Sequence, residues 1–131
     1  MTSPKQHLTH VTLVVRDYDE AISYYTDKLN FDLIKDIDLG EGKRWVLVSP
    51  KNSQCQLVLG KAVGPEQEAA IGYQTGGRVF MFLHTTDFWA TYGQMKTKDV
   101  VFKEEPREEP YGTVVVFEDL YGNLWDLLEL K

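Results

Sequence analysis

The stretch HVTLVVRDYDEAISYYTDKLNF, residues 10–31, decides the fold. Its first six residues are rich in β-branched side chains and alternate, the pattern of a strand with one buried face. Asp17 follows at an N-cap position with Glu20 three residues on, the spacing of a capping box. Tyr18, Ile22, Tyr25 and Leu29 then recur at i, i+4, i+7 and i+11, one face of a helix, and Asn30 suits the left-handed residue that ends it. Three strand segments come next: residues 31–37, residues 44–48 behind the turn Gly40-Glu41-Gly42, and residues 54–59 behind Pro50-Lys51-Asn52-Ser53. The unit is β-α-β-β-β.

Residues 60–78, GKAVGPEQEAAIGYQTGGR, hold five of the ten glycines and sustain no period, so they read as a connector. Behind them the order restarts. Residues 79–84 read as a strand and Asp87 as a cap, and Phe88, Tyr92 and Met95 share a helix face. A strand at 100–104 leads into the charged, proline-bracketed EEPREEPYG (104–112), which reads as a solvated loop. Strands at 113–118 and 124–130 flank the turn Asp119-Leu120-Tyr121-Gly122-Asn123. Sliding the chain by 70 residues brings both caps, both helices and both final strands into register without a gap. It pairs Leu13 with Leu83, Asp17 with Asp87 and Leu57 with Leu127 among seven identities in 52 pairs. That is only about twice what shared composition gives, so the order of elements, more than the identities, argues for a tandem duplication. The expected fold is α+β: two βαβββ modules, about residues 8–62 and 79–131, in one domain spanning 1–131. Their curved mixed sheets are expected to wrap a shared cavity.

Composition narrows the class. With 43% hydrophobic, 12% aromatic and 26% charged residues the chain has the makings of a packed core. A single cysteine, Cys55, excludes a disulfide framework and fits a reducing compartment. Fourteen basic against twenty acidic residues give a net charge of −6 without any basic stripe, which argues against nucleic acid and anionic membrane as partners. No apolar run has the length of a membrane span or the layout of a signal peptide, so the expected location is the cytoplasm. Phosphate loop, dinucleotide fingerprint, CxxC and nucleophile elbow are absent.

The repeat selects candidate site residues, because equivalent positions on corresponding strands of two facing modules point at one centre. The first-strand pair is His10 and Phe80, and the last-strand pair is Gln56 and Asp126. His84 shares the strand parity of Phe80 four residues on, about 13 Å at ~3.3 Å per residue, and is a second polar group for the cavity, as a substrate hydrogen-bond partner or general base. Arg44, with the parity of Val46 and Val48, is a candidate for a substrate carboxylate or for Asp126. Gln74 in the connector and Tyr111 in the charged loop are candidates for the cavity mouth.

Residues 10–31 and VFEDLYGNLWDLLEL (116–130) resemble both halves of the vicinal oxygen chelate superfamily, which contains glyoxalase I, extradiol dioxygenases and the fosfomycin and bleomycin resistance proteins. The resemblance covers nearly the whole chain. It implies metal-ligand roles for His10 and Asp126 and a carboxylate position at Gln56, or at Val58 under a two-residue shift. Phe80 stands where metal-dependent members carry a histidine, and a phenyl ring donates no lone pair. Two functions follow. One is a metal-assisted lyase, isomerase or dioxygenase, in which Ni, Zn, Mn or Fe polarises a small oxygenated substrate while Gln56 or His84 moves a proton. The other is metal-free binding or sequestration in the manner of bleomycin resistance proteins. A homodimer is the expected assembly by the same resemblance.

Overall fold

The computed structural model describes residues 2–131. In chain order the elements are β1 (His10–Val15), α1 (Tyr18–Ser23), β2 (Asp32–Gly40), β3 (Lys43–Ser49), β4 (Gln56–Lys61) and α2 (Gly64–Ala70), followed by β5 (Val79–His84), α3 (Phe88–Thr97), β6 (Val101–Phe102), β7 (Arg107–Glu109), β8 (Gly112–Glu118) and β9 (Leu124–Leu130). Sheet one has the order β1-β4-β3-β2; sheet two has the order β5-β9-β8-β6, with β7 also on β8. The first and last strands of each module lie parallel, β1 on β4 and β5 on β9.

Local chemistry sets these elements as expected. The Asp17 carboxylate accepts from the Glu20 amide at 2.9 Å, and Asp87 accepts from the Ala90 amide at 3.2 Å, so each helix begins on an aspartate cap. Asn30 ends the first helix at φ 59°. Between α1 and Asn30 the chain winds as one π turn, Tyr24–Lys28. The extra residue turns both tyrosines toward module two: Tyr24 Oη donates to the Glu118 carbonyl at 3.3 Å and Tyr25 Oη to Asp119 Oδ2 at 2.6 Å.

Each sheet has a helix-covered face and an open face. Leu13, Val15, Val46, Val48, Leu57 and Leu59 cover the first under α1; Val115, Phe117, Trp125 and Leu127 cover the second under α3. The two sets form one continuous core, joined where the Tyr25 ring lies 5.9 Å and the Phe31 ring 6.1 Å from that of Trp125. The modules are therefore fastened through their helix sides. Asp119 is the buried polar centre of this junction, accepting from Tyr25, from the amides of Tyr121 and Asn123, and from Asn123 Nδ2. Four donors satisfy a carboxylate that burial would otherwise penalise heavily.

Three segments differ from the sequence expectation. The connector contains a helix, α2, started by a proline in its first turn. The EEPREEPYG loop is half strand: Arg107–Glu109 pairs with β8, and the gap before it is closed by the Glu104 carboxylate, which accepts from the Val116 amide at 3.0 Å in place of a ladder carbonyl. The ungapped 70-residue register also fails inside module two. His10 pairs with Gln56 across β1 and β4, yet Asp126 pairs with Phe82, not Phe80: β5 and β9 are slipped by two residues relative to β1 and β4, one of the two arising at the bulge between Val79 and Met81. Likewise, Val46 belongs to the core whereas Val116 pairs with Asp126 on the open face, so that identity at 70-residue spacing joins residues of opposite faces.

Candidate functional site

The open faces carry the groups that packing does not explain. On sheet one, His10 is exposed beside half-buried Gln56, with its ring 5.7 Å from that of Trp45 and nearly perpendicular. By strand alternation Ile37, which pairs with Trp45, shares this face, and it is 48% exposed. On sheet two the corresponding pair is Phe82 and Asp126. Phe82 is 66% exposed, and His84 lies two residues beyond it on the same face, about 7 Å along the strand at ~3.3 Å per residue.

Asp126 is the most unusual of these residues. Its Oδ1 is buried with no hydrogen-bond partner among the described residues. Burial pushes its carboxyl above the ordinary aspartate range; the charge of Arg107 pulls the other way, and that of Glu104 adds to the rise. Arg107 is already committed, with Nε on Glu104 at 3.0 Å and Nη1 on Glu109 at 2.6 Å, so it neutralises the region without bonding to Asp126. The result is an under-solvated carboxyl amid Phe82, Val116 and Leu128, ready to accept from, or when protonated donate to, a polar atom of an apolar molecule.

The other sequence-derived candidates take different places. Arg44 lies on the helix-covered side: it pairs with Asp36 at 2.6 Å and Asp19 at 2.9 Å, and its guanidinium sits 5.1 Å from the centre of the Tyr18 ring. Arg44 shares the parity of Val46 and Val48, whose face the helix covers, and its ion pairs fasten α1 to β2. Gln74 lies along the outer edge of β1, accepting from the Val14 amide at 2.6 Å and donating to the Thr12 carbonyl at 3.0 Å. Phe80, at the bulge, packs into the core with its ring 6.2 Å from that of Trp125, and Phe82 takes the position opposite Asp126. Tyr111 is exposed between β7 and β8, and its carbonyl accepts from the Lys131 amide. Sequence reasoning missed Phe82 on the open face of sheet two, which strand parity signals once the bulge is known; Trp45 and Arg107, weaker candidates in the sequence, also lie on the open faces.

His10 and Gln56 belong to sheet one and Asp126, Phe82 and His84 to sheet two. Among the described residues no three His, Cys, Asp or Glu side chains gather where one ion could touch them all. An imidazole, an amide and one carboxylate divided between two sheets, with a phenyl ring at the fourth position, offer a divalent metal at most three protein donors, only one of them charged.

The sequence model of the glyoxalase/bleomycin resistance protein/dioxygenase superfamily matches residues 7–127. An uncharacterized protein of Shewanella frigidimarina is 56% identical over 129 residues, covering 97% of this chain and 96% of that protein. Among solved structures, UcmS2 superposes with a TM-score of 0.82 at 34% identity over 95% of this chain and 98% of its own. TnmS3, described as an antibiotic binding protein from Streptomyces sp. CB03234, superposes with a TM-score of 0.79 at 25% identity over 99% of this chain and 100% of its own.

Proposed function

Because the chain belongs to the glyoxalase/bleomycin resistance protein/dioxygenase superfamily, we propose that it binds a small, largely apolar, oxygen-bearing molecule between the open faces of its sheets, without a resident metal. One observation carries this reading: each helix-free face holds exposed large apolar side chains, and the one on sheet two surrounds an unpartnered carboxyl oxygen. A face meant only for water has no use for Phe82 at 66% exposure beside a desolvated Asp126. The likeness to TnmS3 supports the same direction. Since one chain joins its modules through their helix sides, closing the two open faces over a ligand calls for a second copy, which makes a homodimer part of the proposal. Aromatic walls from Trp45 and Phe82 supply stacking area, while Asp126, Gln56, His10 and His84 supply polar contacts that orient the ligand.

The test is a fluorescence titration of chelator-treated protein with oxygen-bearing polycyclic aromatics, doxorubicin and menadione among them. Saturable tryptophan quenching is expected, with the same Kd within about twofold after adding Ni, Zn, Mn or Fe, and loss of at least about tenfold, ~1.4 kcal/mol, in Phe82→Asp. Binding that appears only with added metal, or stoichiometric metal retained through purification without chelator, overturns the metal-free reading. Absence of saturable binding across the panel overturns the ligand class.

A further inference from the structure

A second site lies at the outer edge of β5, adjoining the open face of sheet two. A cavity of about 370 Å³ opens between β5 and the β3–β4 turn, bordered by residues 49–53 on one side and 81–84 on the other, with Phe31, Leu57 and Trp125 at its base. That volume falls within the range that holds small organic ligands. Among the described residues, β5 has β9 on one side and no strand on the other. The Thr85 amide bonds inward to the Leu128 carbonyl, so by backbone alternation the Phe82 carbonyl and the His84 amide point outward, toward the cavity. An acceptor and a donor two residues apart are thus left at an apolar groove.

The other half of the molecule shows what fits such a pair. In module one, β1 is likewise an edge strand, and its outward groups are the Thr12 carbonyl and the Val14 amide. The side-chain carboxamide of Gln74 engages both, its nitrogen donating to Thr12 and its oxygen accepting from Val14. The connector holds Gln74 there by close packing on the β8–β9 turn, where a Cβ on Gly72 would stand 2.0 Å from the Tyr121 carbonyl oxygen. Each groove lies between the first strand of one module and the last turn of the other. The connector follows module one only, so it fills one groove and leaves its counterpart open.

We propose that the β5 groove binds a small molecule through a primary carboxamide or a similarly spaced N–H and C=O pair. The amide nitrogen donates to the Phe82 carbonyl, its oxygen accepts from the His84 amide, and an apolar body lies against Phe31, Leu57 and Trp125. The site shares Phe82 and His84 with the open face of sheet two, but it is engaged through their backbone groups, not through the phenyl ring or the imidazole, so the backbone amide shift distinguishes it from open-face binding.

Amide-resolved NMR of the whole protein tests it, with benzamide as probe and benzoate and N,N-dimethylbenzamide as controls lacking the N–H. Benzamide is expected to give a saturable downfield shift at the His84 amide, with neither control doing so, and Ser53→Trp is expected to abolish the response by filling the groove. In Gln74→Ala, benzamide is expected to gain a second site that shifts the Val14 amide. No saturable shift at His84, an equal response to N,N-dimethylbenzamide, or a folded Gln74→Ala protein without a Val14 response overturns the proposal. So does a His84 amide already protected from exchange without probe, which would assign the edge to a second copy or to the chain's own terminal segment.

Discussion

At the scale of single residues, two acids with opposite surroundings divide the work. Asp119 is buried and fully bonded, whereas Asp126 is buried at one oxygen and unbonded there. Tyr25→Phe leaves Asp119 one donor short inside the core. It is expected to cost about 1–3 kcal/mol, read as a lower urea midpoint at unchanged m-value; an unchanged midpoint would mean that the 2.6 Å bond contributes nothing net. Asp126 sets a pH dependence of opposite sign to a salt-bridged aspartate. Burial makes its carboxyl titrate higher in the folded chain than a free aspartate does, so between the two pKa values the native state holds more protons than the unfolded one, and this group lowers stability as pH rises through that window. Asp126→Asn should therefore match the parent below that window and exceed it in stability at neutral pH. A variant less stable than the parent at pH 7 would show that the carboxylate has a stabilising partner.

At the scale of elements, irregularities decide where side chains go. The π turn aims Tyr24 and Tyr25 at the neighbouring module, and the β5 bulge moves Phe80 into the core and sets Phe82 opposite Asp126. The connector, glycine-rich in sequence, is tied down by Gln74 and by the approach of Gly72 to Tyr121. Gly72 has φ +74° as well, so Gly72→Ala meets both a backbone clash and an unfavourable conformation. A loss of more than about 2 kcal/mol is expected, with faster exchange of the Val14 amide as the connector lifts. Normal thermal stability in this variant would rule out the connector as a clamp. None of these devices follows from composition, since a bulge or π turn depends on which neighbour a side chain must reach.

At the scale of the whole molecule, the helix-side junction leaves the open faces without covers. Ile37 and Phe82 are 48% and 66% exposed, more apolar surface than a face intended for solvent needs. Light scattering is expected to give a dimer mass at micromolar concentration, and Ile37→Lys with Phe82→Lys together to shift it to monomer without unfolding. A parent that stays monomeric at all accessible concentrations removes the partner copy from the proposed ligand site. A net charge of −6 spread over 131 residues opposes such pairing only weakly at physiological salt, where its repulsion is screened within about 8 Å.

The sequence by itself determined the module order, both aspartate caps, most strands and the family, because these follow from local periodicity and from short motifs that act over a few residues. Strand parity also picked out His10, Gln56, His84 and Asp126 as polar residues on otherwise apolar strands. Only the tertiary structure decided which face each strand buries. That choice made Arg44 a partner of Asp36 and Asp19, gave Gln74 to the edge of β1, and placed Phe82 in the position expected for Phe80. The physical reason is that a strand's two faces are equivalent in sequence until a helix covers one of them, and a single bulged residue re-aims the side chains around it.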